Sequence, residues 1–308
     1  MSIEGRNVGL CGKWHLLVLV IVCIHLISTS QVFAGWAEQV VRYDPGSTPA
    51  PGFSDPTAAL GQPTRFTGVG IFPAAVQPFN PPWLGAELVS LGEGGELVLR
   101  LSHFAIPDPD GPELGLFANA GLLDADNDFA NPGATASGLP VQQFGVDTVI
   151  VDVSANGSDW VALGKIVADV PTLGYLDVVD VTAQNPGDLL TDFSLPFGFS
   201  VNDFAGLPLA SDQGASILSL YGNSGGGTWI DISDTGLSKV GYLRFRVADD
   251  GDVATALNFE LDAVTISHVA VGSVVPEPAT IVMYFLGLVW LGIRLGIRRM
   301  ANIDQGYL

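Results

Sequence analysis

Between Gly35 and Val275 the chain alternates apolar and polar residues at a period of two, in short runs broken by glycine, proline, asparagine and aspartate. This pattern constrains the fold more than any other feature, because only a half-buried strand sends successive side chains to opposite faces. Val149, Val151 and Val153 alternate with Thr148, Ile150 and Asp152, and Leu243, Phe245 and Val247 alternate with an outward pair, Arg244 and Arg246. Leu97, Leu99 and Leu101 share one face, and a last strand begins at Phe259-Glu260-Leu261-Asp262-Ala263-Val264. No long run keeps a helical period. The expected fold is all-β, an antiparallel β-sandwich of roughly eight or more strands in one large domain, with two small domains as the alternative.

The breaks carry their own expectations. Gly92-Glu93-Gly94-Gly95 separates the apolar runs 85–91 and 96–101 and predicts a hairpin. Asn156-Gly157 predicts another turn, with Trp160-Val161-Ala162-Leu163 resuming the sheet and Trp160 following the pattern of a core tryptophan. Nine prolines between Asp44 and Pro82 exclude regular central strands, so residues 44–82 are expected to be loop-like. Gly222 to Gly227 is glycine-rich but is followed by no strand-to-helix pattern, which predicts a flexible surface loop.

Both ends are apolar. In residues 1–34, Arg6 and Lys13 precede an apolar run from Trp14 to Ile27, then a polar break and Val32-Phe33-Ala34. This order predicts a signal peptide cleaved after Ala34, with an uncleaved anchor as the alternative. The only cysteines, Cys11 and Cys23, lie in this segment, so the expected mature chain has no disulfide and no thiol chemistry. At the other end, Pro276-Glu277-Pro278 leads into the apolar run Ile281 to Ile293, followed by Arg294, Arg298 and Arg299. Thirteen residues span only ~20 Å as a helix, short of a ~30 Å hydrocarbon core. Extending the run to a transmembrane helix of about 280–297, with Arg294 reaching the headgroups, makes a thin span. The arginines beyond it place the body, residues 35–275, outside the cytoplasm.

Charge narrows the partners. From Gly35 to Val275 there are 29 acidic against seven basic side chains, a net −22. Such a surface repels nucleic acid and anionic membranes. The acid is either a solvated face or the source of calcium ligands. Asp124, Asp126 and Asp128 stand at alternate positions, the opening spacing of a calcium loop, without the glycine and closing acid of an EF-hand. Asp108 and Asp110 form a second acidic turn. Two readings fit these five residues: oxygen ligands for calcium, or aspartates that cap their own backbone.

Catalytic patterns are missing from the sequence: no Gly-x-Ser-x-Gly, no His-Glu-x-x-His, and only His103 and His268 in the body. Trp83, Trp160 and Trp229, with Tyr43, Tyr175 and Tyr221, either stack on sugar rings or pack into the core.

The tail, with its triplet, short glycine-containing helix and closing arginines, resembles the PEP-CTERM sorting signal of Gram-negative bacteria. Residues 301–308 continue where such tails usually stop. The resemblance implies an exosortase, an integral membrane transpeptidase, as partner, in a bacterium that makes extracellular polysaccharide. Tyr43-Asp44-Pro45-Gly46, Ala59-Leu60-Gly61-Gln62-Pro63, Val89-Ser90-Leu91-Gly92, Asp110-Gly111-Pro112, the run Val151 to Trp160 and Phe259 to Val264 occur in that order. Together they resemble exported bacterial surface proteins with a jelly roll similar to galactose-binding, discoidin-type domains. Phe117-Ala118-Asn119 lacks the acidic residue that such chains tend to carry. The expectation is an exported, non-enzymatic surface or matrix protein. A carbohydrate-binding adhesin on the same scaffold and a secreted hydrolase are the alternatives.

Overall fold

The structure, a computed structural model, describes residues 35–68, 74–125, 134–178, 187–212, 214–248 and 258–267. The expectations placed on residues 1–34, on Pro276, Glu277, Pro278, Arg294, Arg298 and Arg299, and on Asp126, Asp128 and His268 lie outside them. The chain divides into two compact units, Met1–Val271 and Gly272–Leu308, and every described residue belongs to the first.

In chain order the described strands are β1 (Gly35–Asp44), β2 (Phe66–Thr67), β3 (Ala74–Ala75), β4 (Val89–Leu91), β5 (Glu96–Ala105), β6 (Leu114–Ala118) and β7 (Gly121–Leu122). They continue with β8 (Gln143–Phe144), β9 (Asp147–Ser154), β10 (Val161–Ala168), β11 (Thr228–Ile230), β12 (Val240–Arg246) and β13 (Phe259–Ile266). Every ladder between them is antiparallel. Among the described residues, helix is limited to α1 (Ile217–Tyr221) and three short 3-10 turns. The fold is all-β and sandwich-like.

Nine strands form one nearly closed path, β10-β9-β12-β5-β1-β13-β6-β11, with β4 also paired to β13. β1 joins its two halves. Its first residues, Gly35 and Trp36, pair with Ile266 and Thr265 of β13, and Ala37 to Asp44 then pair with β5. Two irregularities, between Ala37 and Gln39 and between Val40 and Arg42, bend the strand between its partners.

The period-two faces meet in one core. Leu97, Leu99, Val149, Val151, Val153, Leu243 and Phe245 pack with Leu114, Leu116, Phe259, Leu261 and Val264 of the facing ladders. Each such side chain stabilises the fold by about 1.5–3 kcal/mol relative to leaving it in water. Arg244 and Arg246 lie on the opposite face of β12, where both hold the buried carboxylate of Asp152 at 2.9 Å. The Asn156-Gly157 turn joins β9 to β10, and the Asn156 side chain accepts hydrogen bonds from the Ser158 and Asp159 amides.

A second core lies under the long segment after β10, where Phe204 and Tyr221 stack at 5.7 Å and Phe197 leans on both. Phe193 of this segment meets Phe117 of β6 edge-on at 5.3 Å, and the two pack with Ala263 of β13. β13 is therefore covered on both faces, and all eight of its residues are buried.

Three local expectations are corrected. The runs around Gly92–Gly95 are not a hairpin: β4 pairs with β13, while β5 pairs with β1 and β12. The four residues make a tight turn between the two halves of the path, with Gly92 donating to the Pro45 carbonyl and Gly94 to that of Val247. Alternation identifies strands, but partner choice depends on residues far away in sequence. Gly222–Gly227 is a surface loop only at its start: Gly222 and Asn223 are exposed, but Ser224 to Gly227 are buried. Trp160 is half-buried and lies under the Arg244 guanidinium, 4.6 Å from its ring centroid, rather than in the core.

Candidate functional site

The site is built from the outward face of the ladder between β1 and β13. Trp36 and Thr265 are cross-strand partners and share a face, opposite the core-facing Ala37 and Ile266. The Thr265 hydroxyl donates to the Phe193 carbonyl at 2.8 Å, fastening the 190–194 segment beside them. The glycine run makes this closure possible. A Cβ on Gly225 would stand 2.1 Å from the Phe193 ring, and one on Gly226 would stand 2.4 Å from the Pro171 carbonyl oxygen. Only glycine permits these approaches. The Asp192 amide donates to the Asn223 carbonyl at 2.7 Å, and the Gly225 amide donates to the Asp192 carbonyl at 3.0 Å.

Between these elements opens a pocket of about 460 Å³, lined by Trp36, Gln62, Arg65, Leu190, Thr191, Asp192, Phe193, Ser194, Asn223 and Thr265. Arg65 is its most constrained polar member. Its guanidinium carbon sits 4.0 Å over the centre of the Phe193 ring. Nη1 donates to the Gly174 carbonyl (2.6 Å) and the Thr191 hydroxyl (3.0 Å), and Nη2 donates to the Thr191 carbonyl (2.9 Å). Burial lowers the Arg65 pKa from its ordinary value, while Tyr175 and Asp192 favour its charge. Among the described residues Arg42, Arg100, Arg244 and Arg246 each have a carboxylate within 4.0 Å, and Arg65 has none. Asp192 spends one oxygen, Oδ1, on the Ser194 amide (2.8 Å) and hydroxyl (2.6 Å).

Arg65 is set in place by a buried acid. Asp262 of β13 accepts from the Thr64 amide (2.9 Å) and hydroxyl (2.8 Å), fixing the backbone immediately before Arg65. Burial pushes the Asp262 carboxyl up to about 7; Thr64 opposes the shift and Glu87 adds repulsion. Burial also raises two other acids elsewhere. Glu113, fully buried, accepts from the Asp108 and Ile232 amides, and burial is the main cause that raises its pKa. Asp147 is pushed up to about 8 by burial and by the neighbouring Glu260.

The acidic turns singled out from the sequence lie apart from the pocket lining. Asp108 Oδ1 accepts from the Asp110 amide at 3.0 Å, a local turn of the backbone-capping kind. Asp124 is buried; its Oδ1 accepts from the Thr135 amide at 3.0 Å, and its Oδ2 has no hydrogen-bond partner among the described residues. No group of three or more His, Cys, Asp or Glu side chains that could hold a metal occurs among the described residues. His103 lies on β5, its Nδ1 3.0 Å from the Ser102 hydroxyl.

The six aromatic candidates do not line the pocket. Trp229 donates to the Gly226 carbonyl, Tyr221 is buried against the Pro171 carbonyl, Tyr43 reaches the Ser90 carbonyl, and Trp83 is exposed. The aromatic residues in the pocket wall that sequence reasoning missed are Trp36 and Phe193, and the missed cation is Arg65. Gln62 and Asp262 do fall within the ordered blocks Ala59 to Pro63 and Phe259 to Val264, and that order was the available signal. No model of a known protein family matches the chain, and no curated protein matches it.

Proposed function

We propose that this chain is an exported, non-enzymatic surface or matrix protein, sorted through Pro276-Glu277-Pro278 by an exosortase-type membrane transpeptidase. Residues 1–34 carry it across the inner membrane, a helix at about 280–297 holds it with the body on the periplasmic side, and sorting delivers it to the envelope or extracellular matrix. The carrying observation is the order of the tail: the triplet, the apolar run Ile281 to Ile293, and then Arg294, Arg298 and Arg299. The passage of β1 from the β13 ladder to the β5 ladder fits a jelly roll. Replacing Pro276, Glu277 and Pro278 together by alanine is expected to leave an unprocessed form in the inner membrane. Cell fractionation and intact mass would check this, and unchanged location and mass would reduce the triplet to a linker.

The pocket favours a second reading, that the same scaffold binds a saccharide. An indole, a fixed guanidinium, a carboxylate and two amides around about 460 Å³ lie within the usual size and chemistry of small-ligand clefts, which span ~300–1,000 Å³. A hydrolase working by two carboxylates would need a second acid beside Asp192. Among the described residues lining the pocket there is none.

A further inference from the structure

We propose that the pocket takes a neutral sugar ring and discriminates against the corresponding uronate, with Arg65 and Asp192 together gripping a pair of adjacent hydroxyls. The inference rests on the saccharide reading of the same pocket and goes one step beyond it.

It follows from the hydrogen-bonding capacity left over in the pocket wall. A guanidinium has five N–H donors. In Arg65, the Nη1 pair and one Nη2 hydrogen are engaged by Gly174 and Thr191. The Nε–H and the second Nη2 hydrogen, which form the other edge of the fork, have no partner among the described residues. Arg246 uses that same edge to hold Asp152, through Nε at 2.9 Å and Nη2 at 3.2 Å, which shows the kind of paired acceptor it suits. Asp192 has the complementary surplus: Oδ1 is occupied by Ser194, while Oδ2 has no partner among the described residues. The Gln62 and Asn223 side chains, both exposed at the pocket, likewise make no hydrogen bond with described residues.

The wall therefore offers unmet donors and an unmet anionic acceptor at once. A carboxylate ligand would satisfy Arg65 and face Asp192. An ammonium would satisfy Asp192 and face Arg65. A hydroxyl both donates and accepts, so two adjacent hydroxyls serve both groups without adding charge. An apolar ligand would strip water from these groups and return nothing. The wider field acts in the same direction, since a body with a net charge of −22 repels anions. Trp36 supplies a flat apolar surface for the C–H face of a ring.

The test is a paired titration of the full chain in mild detergent, following tryptophan fluorescence and calorimetric heat. Each neutral hexoside (glucoside, galactoside, mannoside) is compared with its own C6-oxidised uronate. The expected result is saturable millimolar or tighter binding of at least one neutral hexoside, with its uronate weaker by about tenfold or more. Asp192→Asn should weaken the neutral ligand and also shrink the gap between the pair, a change in selectivity that mere loss of folding would not produce. Trp36→Phe, a milder change, should weaken both members equally. Tighter binding of the uronates would overturn the inference while leaving the saccharide reading standing. No saturable binding of any pair would overturn both.

Discussion

Asp262 shows how much of the pocket depends on a residue that does not line it. Its carboxyl stands at about 7 against an ordinary 3.8, raised by burial and by Glu87, and it holds Thr64 through both oxygens. The folded protein thus keeps a proton that the unfolded chain gives up between about pH 4 and 7. The stability this group contributes is full below about pH 4 and is lost as pH rises toward 7. Asp147, raised to about 8, acts in the same direction over a window that reaches higher. The thermal midpoint of Asp262→Asn should therefore fall less than that of wild type as pH rises from about 4 to 7. Parallel melting curves across that window for the two proteins would mean that Asp262 does not titrate there. Because Thr64 precedes Arg65, the same variant should also weaken saccharide binding at pH 8, where an ionised Asp262 is the stronger acceptor.

At the scale of elements, β1 and the glycine run decide the architecture around the site. β1 belongs to both halves of the path, and its first two residues place Trp36 beside Thr265. The glycine run closes on Phe193 and through it supports the face over which Arg65 lies. Gly225→Ala should lower stability by about 1–3 kcal/mol, the usual cost of overpacking a tight contact, and should weaken ligand binding with it. The comparison is Gly236→Ala, where the backbone is left-handed but nothing lies within 4 Å of the new Cβ. Its cost is expected near 1 kcal/mol with binding unchanged, and urea unfolding of the two variants measures the difference. If Gly225→Ala unfolded like Gly236→Ala, the contact with Phe193 would carry no weight. The strands themselves were legible from alternation: Leu97, Leu99, Val149, Val151, Leu243 and Phe245 all face the core. The glycine run was misjudged because glycine looks the same in sequence whether a loop is loose or pressed against a ring.

The whole body is held compact against its own charge. A net −22 over residues 35–275 repels itself, and only four ion pairs occur among the described residues. Screening should relieve this, so raising sodium chloride from low to near-physiological ionic strength should raise the thermal midpoint by a few degrees, as the Debye length shrinks to ~8 Å. A midpoint that fell with salt would show instead that the ion pairs outweigh the repulsion. The amino-acid sequence by itself determined the strands, their buried faces, the Asn156-Gly157 turn and the acidic surface, because each depends on residues next to one another along the chain. It also carries, in the local order of its two ends, the proposed address. Tertiary structure alone decided the pocket. Thr64 meets Asp262 across 198 residues and Arg65 meets Thr191 across 126. Contacts that distant are selected by the packing of whole ladders, a quantity no local period records.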